Sequence, residues 1–291
     1  MPTVYENLIP RTMARDILTI VSQQSAALAL GRRIVMPSGL LTIPIVSFLP
    51  AAGWVNPRYG GRKPATKVEW TAQNVQAEEC ACVLALPNAF IDDAGYPVWD
   101  QVRPLVAGAI AEAIDVAVLF GTAAPAAFPV GGIAALAGAA ATGADAITAI
   151  DAAAASVEAS GAVPNGIAAS TKIGTALRQA YRAAQALPDQ APAQQIYGWP
   201  VTVVREWDAS KGDALVGDWN YLLVGIREDI TFDMSEEAVI QDGTGAIIAN
   251  AFQDDLTAMR CYIRLGVAIG QPIDPGTDAP VAPFEFADWT A

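Results

Sequence analysis

The sequence contains no histidine, only three cysteines, and 17 basic side chains against 30 acidic ones in 291 residues. The missing imidazole excludes histidine general bases, histidine-dependent catalytic triads and every metal site built on imidazole. The net charge of −13 argues against a nucleic-acid-binding module, whose affinity comes largely from phosphate neutralisation by Lys and Arg. Three cysteines, an odd number in a chain this long, do not form a disulfide framework, so a reducing interior is the expected compartment. No basic segment leads into an apolar one near Met1, and no signal peptide is expected.

Long runs of Leu, Ile and Phe are also lacking, although 53% of the residues are apolar. The stretch Val116 to Ala144 carries no charge and is long enough to span a bilayer. Pro125, Pro129 and the Gly131-Gly132 pair would break such a helix, and much of the rest is alanine. No membrane association is expected.

The remaining pattern is α+β. Arg11 to Leu30 predicts an amphipathic helix, stopped by Pro37-Ser38-Gly39. Leu41 to Pro50 reads as extended, residues 51 to 66 as a turn-rich, charged tip, and Thr66 to Thr71 as a returning strand. Two extended arms around a polar tip describe a protruding hairpin, which has little core of its own and needs a neighbour to lie on. Val98, Val102, Val106, Ile110, Ile114 and Val118 then recur at every fourth position, with Leu105, Ala109 and Ala113 beside them. They predict a helix of about 20–24 residues ending near Gly121, with Pro104 kinking it or marking its straight portion. Asp145 to Ser160 predicts a second helix, and a third runs to Pro188 from Ser170, its candidate N-cap. Strands follow, with the strongest alternation near the end. Met259, Cys261, Ile263, Leu265, Val267 and Ile269 face one way, and Arg260, Tyr262 and Arg264 the other. That arginine-bearing face is a candidate contact surface.

Catalytic candidates are weak. Cys80-x-Cys82 lacks the further ligands of a structural zinc site, and these cysteines, with Cys261, read as buried small hydrophobes. The pairs Glu78-Glu79, Asp92-Asp93, Glu236-Glu237 and Asp254-Asp255 have no spacing that would build a glycosidase dyad or a metal site. Gly243-x-Gly245 lacks the third glycine of a nucleotide loop. No catalytic residue, metal or cofactor is assigned. Arg58, Arg62, Lys63 and Lys67 make a basic tip on an acidic protein, either a solvated loop or a docking tip for an acidic surface on another copy.

The order of elements resembles the major capsid proteins of tailed phages, with the Hong Kong 97 fold, over roughly residues 35 to 275. Ala52-Gly53-Trp54-Val55 is similar to the opening of that family's extended loop, the E-loop. Leu84 to Asp93 resembles the approach to its spine helix, with Pro87-Asn88 in place of the usual pair. Glu112-Ala113-Ile114-Asp115 and Leu119-Phe120-Gly121-Thr122 resemble the end of that helix. Ala159 to Gly166, Tyr197-Gly198-Trp199-Pro200-Val201 and Gly217-Asp218-Trp219 are similar to further family signatures.

The resemblance implies an N-terminal arm (1–40) and an E-loop hairpin (41–79). It implies a peripheral domain (80–128 with 222–272, spine helix 98–120) and an axial domain (129–221 with 273–291). It implies a non-enzymatic subunit that self-assembles through pentamers and hexamers into an icosahedral virion shell in the bacterial host cytoplasm. Such a shell encloses double-stranded DNA without sequence-specific binding, beside a portal and separate scaffolding or decoration proteins. Trp54, Arg58, Arg62, Lys63, Lys67, Arg260 and Arg264 are the candidate inter-subunit contacts. An encapsulin-like nanocompartment shell is the alternative, with a carboxylate- or cysteine-based enzyme a more distant one.

Overall fold

A computed structural model describes residues 21, 24–46, 52, 54, 70–94, 98–183, 195–273 and 279–289. The chain builds two sheets around one long helix. Short helix α1 (Ala26–Leu30) precedes strands β1 (Arg32–Val35), β2 (Leu40–Val46), β3 (Trp70–Gln76) and β4 (Glu78–Pro87). Helices α2 (Asn88–Asp93) and α3 (Val98–Asp115) follow, and α3 continues into a π-turn, Val116–Phe120. Next come β5 (Ala141–Thr142), α4 (Ala146–Ala159), β6 (Gly166–Ser170), α5 (Ile173–Ala183), β7 (Gln195–Ile196), β8 (Trp199–Val204) and β9 (Ala214–Gly217). The chain ends with β10 (Leu222–Ser235), β11 (Val239–Gln241), β12 (Ile247–Asn250), β13 (Leu256–Ile269) and β14 (Phe284–Asp288).

The first sheet has the order β1-β10-β13-β4, with β1 parallel to β10 and the other pairs antiparallel. Residues 32–35, within the expected arm, are therefore an edge strand of this sheet. Strand β13 keeps the alternation that the sequence pattern predicts, whereas β10 is interrupted by two register shifts between Ile226 and Thr231. Leu222 and Val224 of β10, with Met259, Cys261, Ile263, Leu265, Val267 and Ile269 of β13, pack into the main core with α3. Within the helix, Val98, Val106, Ile110, Ile114 and Val118 are buried, but Leu105, Ala109 and Ala113 are exposed. The buried flank is instead Ala107 and Ala111, so the apolar face is turned to the other side of the every-fourth row from the expected one. The helix runs through Pro104 and stops at Gly121, whose φ of +68° ends the π-turn.

In the second sheet, β5-β14-β9-β6-β8-β7, the central strands β14, β9 and β6 are buried on both faces. Ala168, Leu215, Phe284 and Phe286 point into the main core. Ile167, Ala169, Ala214, Val216 and Ala287 point the other way, against α4 and α5. Asp145 caps α4 in a reciprocal box with Thr148, which holds its carboxyl below the usual range. Ser170, the expected cap of the next helix, is instead the last residue of β6, and the helix begins at Ile173. Two of the short signatures interlock at the sheet end. The Asp218 carboxylate accepts from Asn165 Nδ2 at 2.9 Å, and Asn165 Oδ1 accepts from the Trp219 N–H at 2.9 Å. Glycine is required on both sides, since a Cβ on Gly217 would lie 2.2 Å from Phe284 and one on Gly166 2.9 Å from Trp219.

One carboxylate joins the amino-terminal segment to helix α3. The helix expected over residues 11–30 breaks at Ser25, with residues 11–20 outside the described residues. Ser25 caps α1, and Asp115, 1% exposed at the end of α3, supplies the other acceptors. Its carboxylate accepts from Ser25 Oγ at 2.7 Å, Ala26 N–H at 2.9 Å and Ala27 N–H at 3.0 Å. Burial raises its pKa from 3.8 to about 6, partly offset by these donors. The folded state therefore binds the proton more tightly than the unfolded chain. The stabilisation linked to that proton is complete below about pH 4 and is lost as pH rises through about 6. The stability advantage of the native protein over Asp115→Asn should shrink by about 2 kcal/mol between pH 4 and 7, read by urea unfolding. An advantage constant across that range would show that Asp115 titrates near its ordinary value.

Candidate assembly interfaces

The side of the first sheet that faces away from α3 is built in two halves. At one end Gly225 of β10 and Gly266 of β13 are register partners. Their missing side chains leave a notch, because a Cβ on Gly225 would lie 2.5 Å from Met36 Sδ and one on Gly266 2.8 Å from Val75 Cγ1. Met36 and Val75 fill it, with Ala77, Leu223 and Ala268 around them. This seats the root of the β2–β3 hairpin on the sheet. Gln73 Nε2 adds a hydrogen bond to the Ile269 carbonyl at 3.0 Å. Leu40 and Trp70 are exposed on the hairpin, and Trp54 beyond it is fully exposed. Arg58, Arg62, Lys63 and Lys67, the expected basic tip, lie outside the described residues.

The other half of that side carries Arg260, Tyr262 and Arg264. Arg260 donates to Asp233 at 2.6 Å and lies over the Tyr262 ring at 5.2 Å, while Arg264 is 3.9 Å from Glu228. Arg260 is thus hydrogen-bonded to, and Arg264 placed near, a carboxylate of the neighbouring strand β10, a pairing that only the strand register could reveal. Asn88, the departure noted before the spine, pins the end of β4 to the start of β13. Its amide donates to Asp255 Oδ1 at 2.8 Å, and its carbonyl accepts from Thr257 Oγ1 at 2.6 Å.

Sequence reasoning missed a further surface, the hairpin β11–β12. Ile247 and Ile248 are adjacent on one strand and each is 67% exposed, so neither face of the hairpin is covered. Val239 is also exposed, and Phe252 in the following turn is 80% exposed. Between this hairpin and the sheet runs a groove of about 390 Å³, lined by Val83, Ala238, Val239, Ile240 and the Asp233–Arg260 pair, among others. Gly243 and Gly245 form the hairpin tip, where Asp242 accepts from Thr244 and the Ala246 N–H; these bonds hold its carboxyl below the usual range. The only signal available in the sequence was a cluster of β-branched residues without alternation.

Chemistry finds little purchase here. Among the described residues no group of three or more His, Cys, Asp or Glu could hold a metal ion. No helix of the described residues is long and apolar enough to cross a membrane. Cys261 is buried as expected, whereas Cys80 and Cys82 are only half-buried.

A model of the phage capsid family matches residues 6–273. No curated protein matches the sequence. Among solved structures, a chain of Microbacterium phage Oxtober96 is 29% identical with a TM-score of 0.72, covering 91% of each chain. One of Mycobacterium phage Adephagia is 24% identical with a TM-score of 0.74, covering 91% of this chain and 90% of that one. A third, described as "Capsid of native GTA particle computed with C5 symmetry", has a TM-score of 0.58 at 15% identity and covers 99% and 95%. The architecture is that of a tailed-phage major capsid protein with the Hong Kong 97 fold. The chain belongs to the phage capsid family, a family of structural proteins.

The glycine notch makes a direct prediction. Gly266→Val should push out Val75 and the Gln76 backbone of β3, so that the amides of β2 and β3 lose hydrogen-exchange protection while those of β10 and β13 keep theirs. Unchanged protection of β2 and β3 would mean that the hairpin is held by something other than the notch.

Proposed function

We propose that this chain tiles an icosahedral head as its major subunit, enclosing double-stranded DNA, and that its two uncovered hairpins are the surfaces by which copies join. The carrying observation is that β2–β3 and β11–β12 project apolar side chains with no core of their own. A second copy is the occupant that a self-assembling capsid subunit offers both surfaces. Closed symmetry lets many modest interfaces accumulate into a stable shell. In this reading the two sheets correspond to peripheral and axial domains, and α3 is the spine between them. Pentamers and hexamers form in the bacterial host cytoplasm, with a portal and any scaffolding or decoration proteins as separate partners.

The E-loop is proposed to lie across a neighbouring subunit, with Trp54 as its apolar contact and Arg58, Arg62, Lys63 and Lys67 meeting acidic surface there. Arg260 and Arg264 are proposed to share their carboxylate partners with a neighbour. The excess of acid fits a container wall, since a surface that does not hold phosphates lets packaged DNA move into place.

The test separates folding from assembly. The double variant Ile247→Asp/Ile248→Asp should keep its circular dichroism spectrum and thermal midpoint, because both side chains are solvent-exposed. It should lose closed particles in electron micrographs. Deletion of residues 50–67 should do the same. Normal shells from either variant would remove that hairpin from the assembly surface.

A further inference from the structure

All three cysteines of the chain lie in one patch of the first sheet, and all are free thiols. Cys80 and Cys82 sit two residues apart on β4, on the face that looks toward α3. Cys261 lies on the same face of the adjacent strand β13, and the register places it directly opposite Cys82. We propose that Cys82 and Cys261 are an oxidisable cross-strand pair, closed into a disulfide by exchange with a low-molecular-weight disulfide such as oxidised glutathione.

Register singles out this pair. Directly opposite residues in an antiparallel ladder have Cα atoms about 4.5–5.5 Å apart, inside the roughly 4.4–6.8 Å that a disulfide spans. Cys80 faces Ile263, so it is diagonal to Cys261, at about 7–8 Å. Cys80 and Cys82 are separated by two extended residues, about 6.5–7 Å, with the chain itself between them. Cys80 is therefore a control built into the same strand.

Register and access order the steps. Burial pushes the Cys261 thiol up to about 12, and burial with the neighbouring Cys82 raises Cys80. Cys80 and Cys82 are both half-buried on edge strand β4, and Cys82, the one opposite buried Cys261, is the entry point. Its thiolate attacks one sulfur of oxidised glutathione and expels a glutathione thiolate, leaving a mixed disulfide. Cys261 then attacks the Cys82 sulfur and displaces the second glutathione, which takes up the Cys261 proton. In sum, two protein thiols and one glutathione disulfide give one protein disulfide and two glutathione thiols.

The bond would fasten an edge strand that matters. β4 leaves the E-loop hairpin through Ala77 and leads into the spine, so it links the projecting loop to the core. A reducing cytoplasm keeps the pair open while subunits assemble, and an oxidising exterior closes it in a released particle. That timing rests on the capsid reading, whereas the chemistry of the pair does not.

The test uses the purified full-length protein incubated with oxidised glutathione at pH 8, then alkylated and mapped by mass spectrometry. One thiol should remain alkylatable, the intact mass before alkylation should fall by about 2 Da, and a Cys82–Cys261 linked peptide should appear. Cys80→Ser should form the bond as the native chain does, and Cys82→Ser should abolish it. The oxidised chain should also melt at higher temperature, because the bond closes a long loop of the unfolded chain. Three alkylatable thiols after oxidation, a Cys80–Cys82 bond or a bond between chains would overturn the proposal. The native-chain map decides without the variants. Failure of the chain to form shells would remove the assembly reading and leave this result unaffected.

Discussion

The structure depends on the antiparallel pair β10–β13, because α3 packs on one of its faces and the root of the β2–β3 hairpin on the other. Alternation along these strands sends large apolar side chains to the spine helix and a mixed set to the opposite side. On that opposite side the paired glycines Gly225 and Gly266 admit the root of the β2–β3 hairpin, while farther along the arginine–carboxylate pairs present a solvated surface. A one-residue slip of register would bring the arginines into the core and the apolar row into solvent. The burial of Met259 through Ile269 therefore selects one register and, with it, the direction in which the hairpin leaves the body.

The spine carries this order to the second sheet. Phe120, at the end of the π-turn, packs edge-on against Trp207 at 5.2 Å and stacks on Phe286 at 6.4 Å. The same helix turns Asp115 toward the amino-terminal segment, where its carboxylate caps α1. A buried acid is a costly fastening, as its raised pKa records, but three donors satisfy it. Removing it would leave helix N–H groups and a serine hydroxyl unpaired in the core. Glu285 is a smaller instance in the second sheet, raised by burial while Ser156 donates to it at 3.2 Å.

Much of this plan was legible in the residues. The every-fourth stripe found helix α3, Asp145 and Gly121 marked helix ends, and the alternation from Met259 to Ile269 found β13. What escaped notice depends on neighbours distant in sequence. Ala107 and Ala111, not Leu105, are buried, because the elements packed around the spine decide which flank of a stripe faces inward. Ser170 resembles a cap, yet its strand partners in β8 and β9 claim it for the sheet. Arg260 reads as a candidate contact on the polar face of its strand, and only the register shows Asp233 beside it. The β11–β12 hairpin was invisible because neither face is buried in the subunit, so no period appears. An element shaped by contacts with other copies leaves no amphipathic record within one chain.

That last point carries the central claim: two hairpins that are incomplete alone become complete in a shell. A cryo-electron microscopy reconstruction of particles assembled from the purified protein tests it most directly. The account predicts closed icosahedral particles in which Trp54, Ile247, Ile248 and Phe252 are covered by neighbouring copies. Particles that leave these side chains facing solvent, or a protein that stays monomeric at assembly concentrations, would contradict it.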